Sequence, residues 1–349
     1  MKFIKILFVV FLLGVLVVGG VSYWIYSSIN KPHQHDKAGK FISIEKGTPP
    51  NQIISKLVSE EIISSEMPTL IYLRTVGDSS KLQAGDYNFV SPITPLQVIT
   101  ELEKGKDRTI KLTIPEGFTR FDISKRIAEK FPQNPPTDDK AILLLMDDTT
   151  LIKDIAPDAK NLEGYMFPST YELQPDAKPK EIIERMVGQF KKLWNPDFTN
   201  RAKLLGRTPH EMVTIGSLIE TESKYDEERP VVASVIYNRL SKNIPLGIDQ
   251  TVVYIAKMQN RWDGVINKSD LESDSPYNTR KFGGVPPGPI SSVSESAINA
   301  AFNPAKSDYI FYVLNVEKND GSHNFYSSAA EFEKGKAEYQ KWLEQQRNK

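Results

Sequence analysis

The chain has 349 residues, of which 40% are apolar and 25% charged, a globular composition with length enough for about two domains. Forty-four basic residues balance forty-four acidic ones, so nothing in the overall charge points to a partner such as nucleic acid that binds through phosphate neutralisation. Cysteine is absent, so disulfide frameworks, thiolate zinc sites and cysteine nucleophiles are excluded as well.

From Ile6 to Tyr26 no residue carries a formal charge, and Leu, Val, Phe, Ile and Gly dominate. At 1.5 Å per residue this run spans a hydrocarbon core of about 30 Å. Lys2 and Lys5 precede it, and Tyr23, Trp24 and Tyr26 close it, which predicts a single-pass anchor in the cytoplasmic (inner) membrane over residues 1–29. Its N-terminus lies in the cytoplasm and the rest of the chain outside. A cleaved secretory signal is the competing reading; against it, the run exceeds a usual h-region and no A-x-A site follows. Residues 30–40 (NKPHQHDKAGK) read as a polar tether, in which His33 and His35 are solvated rather than metal-bound.

A shift of seventy residues superposes Ile44, Gly47, Ile53 and Leu57 on Ile114, Gly117, Ile123 and Ile127. Each copy predicts a strand, a turn at glycine and a helix. A second helix over Met67 to Thr75 and a closing strand over Asp86 to Val90 follow the first copy. A third partial echo over Ser91 to Lys106 has Pro95 near a helix start and Gly105 after its end. Such strand-helix-helix-strand units resemble LysM modules, which bind N-acetylglucosamine chains; a spacer holding a catalytic domain off the membrane is the equal alternative. Phe131 to Asp148 reads as a polar turn followed by a buried helix. The expected organisation is α+β: residues 41–150 repeat-built and LysM-like, residues 151–349 a mixed α+β catalytic domain.

Thr208, Pro209 and Glu211 form a capping box, which starts a helix running EMVTIGSLIETESK. Met212, Val213, Ile215, Leu218 and Ile219 make one apolar sector, with Glu222 about 50° and Glu220 about 110° from its centre. Glu220 leans over Gly216, where the missing side chain leaves room for something else to approach. Salt bridges to Arg229 or Arg239 are the structural alternative for both glutamates. A second helix over Arg229 to Leu240 ends in Asn238 and Arg239, groups able to hydrogen-bond a neighbour. After PLGIDQTVVY comes an irregular tract, Ser273 to Ser294, whose Tyr277 and Phe282 offer flat faces and whose Ser275, Asn278, Thr279 and Arg280 offer hydrogen bonds. Sugars suit that mixture. Tyr309 to Val316 reads as a buried strand, His323 follows an Asp-Gly turn, and the charged end is a solvated helix. A serine acyltransferase is poorly supported, since the S-x-x-K match at Ser28 to Lys31 lies beside the membrane.

Six ordered blocks carry a wider resemblance: LEGYMFPSTYEL (Leu162 to Leu173), SLIETES (Ser217 to Ser223), ERPVVASVIYNRL (Glu228 to Leu240), IDQTVVY (Ile248 to Tyr254), SPYNTRKFGGVPPGPI (Ser275 to Ile290) and GSHNF (Gly321 to Phe325). From about Phe41 to its end the chain resembles the membrane-anchored endolytic murein transglycosylases, the YceG-like or MltG family. The resemblance implies cleavage within peptidoglycan glycan strands, between MurNAc and GlcNAc, leaving 1,6-anhydro-MurNAc ends. It implies peptidoglycan and cell-wall synthases as partners, no nucleic acid, no metal and no cofactor. Carried over by position, the essential glutamate is Glu220, with Glu222 a second acidic position; the helical wheel taken alone favours Glu222 as the carboxyl that desolvation keeps protonated, but Glu220, which over Gly216 can reach a groove, is taken as catalytic and Glu222 as a buried partner that orients the site. Candidates to orient the sugar are Asn238, Asp249, Tyr254, Ser275, Tyr277, Asn278 and His323. Two alternatives stay open: a muramidase-type hydrolase using Asp249 or Glu163 as second carboxylate, and a non-catalytic wall-binding scaffold.

Overall fold

The structure, a computed structural model, describes residues 2–105, 109–132 and 137–347. It divides into two compact units, residues 1–109 and 110–349.

The first unit begins with α1 (Lys2–Asn30). Within it Ile6–Asn30 is, among the described residues, the one helix long and apolar enough to cross a membrane, with a mean hydropathy of 2.6. Its side chains from Ile6 to Val18 are largely exposed, an arrangement that water disfavours and lipid does not. The flanking Lys2 and Lys5 side chains lie outside the described residues. The unit continues with β1 (Ile42–Ile44), α2 (Pro50–Ser59), α3 (Glu66–Thr75), β2 (Gly85–Tyr87) and α4 (Pro95–Lys104). Strands β1 and β2 are antiparallel, Ile42 facing Tyr87 and Ile44 facing Gly85, so the predicted strand-helix-helix-strand order is realised. Its core joins Ile44, Ile54, Leu57, Ile63, Tyr87, Val98 and Leu102. Thr94 and Gln97 cap α4 reciprocally, and Gly105 ends it in the left-handed region.

Residues 30–40 are more than a solvated tether. His33 and Ile93 exchange backbone hydrogen bonds of 2.8 and 3.0 Å, and the His35 backbone N–H donates to Ser91 Oγ at 2.9 Å. The end of α1 also packs on α3 and α4, with Ile29 buried. The polar composition of this segment satisfies the backbone of its own unit.

The second unit opens with β3 (Ile110–Ile114) and α5 (Arg120–Lys130), the second copy of the strand-turn-helix repeat. Gly47 and Gly117, seventy residues apart, both hold the left-handed φ their turns require, +87° and +73°. The second copy differs in its strand partner: β3 pairs antiparallel with β4 (Ser169–Leu173), Leu112 opposite Tyr171. That pairing draws it into the second unit, which therefore starts at residue 110, forty residues before the boundary expected near 150.

Between β3 and β4 stand α5 and α6 (Asp139–Leu145). Helix α6 buries only Ile142, with Leu143 half-buried against the core and Leu144 70% exposed, so the expected buried helix is buried on one side alone; residues 133–136 of the preceding turn lie outside the described residues. Helices α7 (Pro179–Leu193), α8 (Pro196–Leu204), α9 (Pro209–Glu222), α10 (Arg229–Ser241), α11 (Asp249–Met258), α12 (Lys268–Leu271) and α13 (Glu295–Phe302) follow. The chain ends in β5 (Phe311–Leu314), β6 (His323–Tyr326) and α14 (Ala329–Arg347). Strands β5 and β6 form an antiparallel hairpin that is half-buried rather than buried, because one face meets α14, where Phe332 stacks on Phe311 at 4.7 Å. The tract from 273 to 294 has neither helix nor strand, as its composition predicts.

Candidate functional site

Helix α9 organises the site. Its start is the predicted capping box: Thr208 Oγ1 accepts from the Glu211 N–H at 3.1 Å, and Glu211 accepts from the Thr208 N–H at 2.8 Å. Every residue from Met212 to Glu220 is buried, so α9 is enclosed on all sides rather than amphipathic. Gly216 contributes to that enclosure. A Cβ there would stand 3.0 Å from Ile298 Cδ1, so it is α13 that approaches the glycine, not a substrate groove as the sequence suggests. From below, Ser217 Oγ accepts the Ile290 N–H at 3.1 Å and ties the irregular tract to the helix.

Glu220 faces this packed side. Its side chain is 3% exposed; one oxygen accepts from Arg229 at 2.8 Å and the other from the Ser294 N–H at 2.8 Å. Arg229, at the start of α10, also pairs with Asp226 at 2.7 Å and Glu116 at 3.3 Å, and donates to Ser294 Oγ at 2.8 Å. Burial pushes the Glu220 carboxyl above its usual range, while the Ser294 hydrogen bonds and the Arg229 charge oppose that shift. The salt bridge anticipated as the structural alternative is therefore formed. Glu220 fastens α9 to α10 and to the cap of α13.

Glu222, one half-turn on, faces different company. It is half-buried, and Tyr312 on β5 donates its hydroxyl to Glu222 Oε2 at 2.5 Å. Burial pushes this carboxyl up, and the charge of Asp249 pushes it further; the Tyr312 hydrogen bond, His323 and Arg239 act the other way. The two glutamates thus reverse the order that the helical wheel suggests, Glu220 being the more enclosed. The wheel assumes an even shell around the helix, whereas α13 covers the Gly216 side.

The elements that surround Glu222 come from distant sequence. Register sets Tyr312 opposite Phe325 and Leu314 opposite His323, so all four share one face of the hairpin, with Tyr312 and His323 rings edge-on at 5.4 Å. His323 is held by Glu228, which accepts from its backbone N–H at 2.8 Å and pairs with Nδ1 at 2.9 Å. Asp249 opens α11 and is clasped by Arg280 from the irregular tract. Asn278 positions that clasp: its side chain ties down the Leu271 and Ser273 carbonyls and accepts the Arg280 N–H at 3.1 Å.

A third carboxyl stands apart. Glu163 is 1% exposed and accepts the Arg120 N–H through both oxygens, at 3.1 and 3.0 Å. Tyr254 faces it, and burial raises the Glu163 carboxyl to about 7. Tyr254 is itself buried, packed between Phe121 at 5.8 Å and Tyr277 at 5.1 Å.

Of the residues singled out in the sequence, the structure brings Glu222, Asp249 and His323 to one place. Asn238 spends both amide hydrogens on the Ser307 and Tyr309 carbonyls at 2.9 Å, so it latches α10 to the approach of β5. Tyr254 and Asn278 are buried supports, Tyr277 rests on Tyr254, and Ser275 caps its own loop. Sequence reasoning missed Tyr312, Glu228 and Ser294. Two signals were available: the alternation in YIFYVLNV that sets Tyr312 on one strand face, and a serine three residues before Ala297 as a helix cap.

A half-buried carboxyl whose ionisation burial disfavours, held by a neighbouring hydroxyl, is the equipment of a general acid, and a second carboxylate whose charge acts on it suits chemistry at a glycosidic bond. Comparison with known proteins agrees with that class. Residues 42–338 match the YceG-like family. The endolytic murein transglycosylase of Bacillus subtilis (strain 168) is 32% identical over 340 residues, covering 93% of this chain and 91% of that protein. The protein of the same name from Streptococcus pneumoniae serotype 2 (strain D39 / NCTC 7466) is 27% identical, and the match covers 90% of this chain and 61% of that longer protein. A crystal structure of a yceG-like protein from Listeria monocytogenes superposes with a TM-score of 0.57 at 29% identity, over 84% of this chain and 97% of that one. The chain belongs to the YceG-like family.

Proposed function

We propose that the protein is a membrane-anchored endolytic peptidoglycan transglycosylase, a lyase, in which Glu222 is the acid and base. The name of its relatives supports the substrate class. The observation that carries the residue assignment is the contrast between Glu222, half-buried and held, among the described residues, only by the Tyr312 hydroxyl, and Glu220, closed in an ion pair with Arg229; burial raises both carboxyls. Position in the SLIETES block alone favours Glu220; a carboxyl already occupied by a guanidinium and a backbone N–H has no free oxygen for substrate.

In this reading protonated Glu222 gives its proton to the glycosidic oxygen as the bond from MurNAc C1 breaks. The charge of Asp249 stabilises the oxocarbenium-like centre. Glu222, now a carboxylate, takes the proton from the substrate's own C6 hydroxyl as that oxygen bonds to C1. The product is a 1,6-anhydro-MurNAc end and the enzyme is restored without water. Tyr312 holds the carboxyl in place and His323 lines the same face. The reaction needs no metal or cofactor.

A muramidase reading is favoured by one observation, the charge of Asp249, which raises the Glu222 carboxyl and in that reading belongs to the base for a water. Mass analysis of digested peptidoglycan separates the two: anhydro ends support the transglycosylase, reducing ends the muramidase. The length and apolar composition of α1 support reading it as an anchor in the cytoplasmic membrane with the N-terminus inside, and in this reading the enzyme trims nascent strands beside the synthases. The β1–α2–α3–β2 unit serves as a LysM-like glycan contact or as a spacer; pull-down of that unit on insoluble peptidoglycan distinguishes them.

A further inference from the structure

The second unit contains a cavity of about 310 Å³ that the proposed chemistry does not use. Its walls are apolar, from Phe121, Leu143, Met258 and the half-buried indole of Trp262, and its charged lining comprises Lys125, Lys140 and Lys257 against Asp122 and Asp139. Lys257 is committed to Asp122 at 2.6 Å, but among the described residues neither Lys125 nor Lys140 is paired with a carboxylate. A volume at the low end of ligand pockets, an aromatic wall and a rim carrying one net positive charge suit a small ligand with an apolar body and a carboxylate.

The position of the cavity narrows the ligand further. Lys257 and Met258 lie at the C-terminal end of α11, and Asp249, beside Glu222, begins it. Nine residues at 1.5 Å put the two ends about 14 Å apart. Sugars of a glycan strand are neutral; the carboxylates of peptidoglycan hang from MurNAc on a stem of four or five residues, which extended at about 3.3 Å each covers the same distance.

We infer that this cavity is a stem-peptide subsite, which takes a side chain of the stem against Trp262 and Met258 and its carboxylate at Lys125 and Lys140, while MurNAc lies at Glu222. The inference rests on the peptidoglycan reading and adds to it a recognition element at the far end of α11, about 14 Å from Asp249.

Binding without catalysis tests it. The full chain carrying Glu222→Gln, in detergent micelles, is titrated with N-acetylmuramyl tetrapeptide bearing free carboxylates and with the same compound fully amidated. The free form quenches or shifts tryptophan emission, the Trp262→Phe variant loses that signal, and Lys125→Glu with Lys140→Glu weakens binding about tenfold or more, as expected for loss of a charge-assisted contact. Equal affinity for both forms, or unchanged binding by the double lysine variant, overturns the inference. Failure of the catalytic reading shows elsewhere, as wild-type protein that leaves peptidoglycan uncut. With the function intact, the lysine variant cleaves peptide-free glycan at the wild-type rate and loses only its preference for strands with stems.

Discussion

At the scale of single residues, three carboxyls in one unit, two buried and one half-buried, have different surroundings, and environment sorts them. Glu220 is an ionic fastener: Glu220→Gln removes the charge opposite Arg229 and costs about 3 kcal/mol, read as a melting temperature roughly 6–12 °C lower, since a broken buried pair leaves its partner uncompensated. Glu163 carries a pH-dependent share of stability. Its carboxyl lies near 4.5 when unfolded and about 7 when folded, so the native state binds the extra proton. The stabilisation is full below about pH 4.5 and is lost as pH rises through about 7, a change of about 3 kcal/mol. Denaturant titrations across that range show this loss in the wild type and not in Glu163→Gln. The sequence displayed these glutamates and even their cationic partners. It could not rank them, because a helical wheel knows angles and not which neighbouring helix closes which side.

At the scale of elements, the site depends on helix ends and on one hairpin. Glu222 ends α9, Asp249 starts α11, and β5 delivers Tyr312 from ninety residues away. Tyr312→Phe deletes a hydrogen bond that holds the Glu222 carboxyl down, so its ionisation moves to higher pH. The descending limb of the pH–rate profile then shifts upward while the maximal rate falls, on the order of tenfold, as the acid loses its orientation. Gly216 has the opposite kind of role. Gly216→Ala presses on Ile298 and costs about 1 kcal/mol in a folding measurement, with little effect on chemistry. Helix boundaries were legible here because caps are local: Thr208 with Glu211, Pro95 and Gly105 all stand where the structure uses them, although the Thr94–Gln97 cap was not read in advance. The partner of β3 was not legible. Its pairing with β4 links segments 59 residues apart in sequence, and nothing within either strand specifies the other.

At the scale of the whole molecule, two units of contrasting construction follow one another, the first of them opening with the apolar helix. The apolar helix, long enough to cross a membrane, was the plainest feature of the sequence, because an uncharged run from Ile6 to Tyr26 is a composition that water-soluble segments do not have. Leu13→Arg with Val17→Arg costs several kcal/mol of insertion and moves the protein from the carbonate-resistant membrane fraction to the soluble one, whereas the same changes leave the buried cores untouched. The repeat was legible as a pattern, and its glycines as turns, yet the chain uses its two copies differently: one closes on β2, the other supplies Glu116 to Arg229 and the Arg120 backbone to Glu163. A duplicated local motif is thereby divided between two units, because strand pairing, not sequence similarity, decides which core a segment joins.

The assignment of the acid to Glu222 is tested most directly by digesting purified peptidoglycan with wild-type, Glu222→Gln and Glu220→Gln proteins, each shown folded by circular dichroism, and reading the released ends by mass spectrometry. Wild type yields internal cleavage with anhydro ends. Glu222→Gln falls by a factor of at least about 10² at unchanged melting temperature, and Glu220→Gln keeps cutting at temperatures where it remains folded. A folded Glu222→Gln protein that cleaves at the wild-type rate, while folded Glu220→Gln does not, contradicts the account.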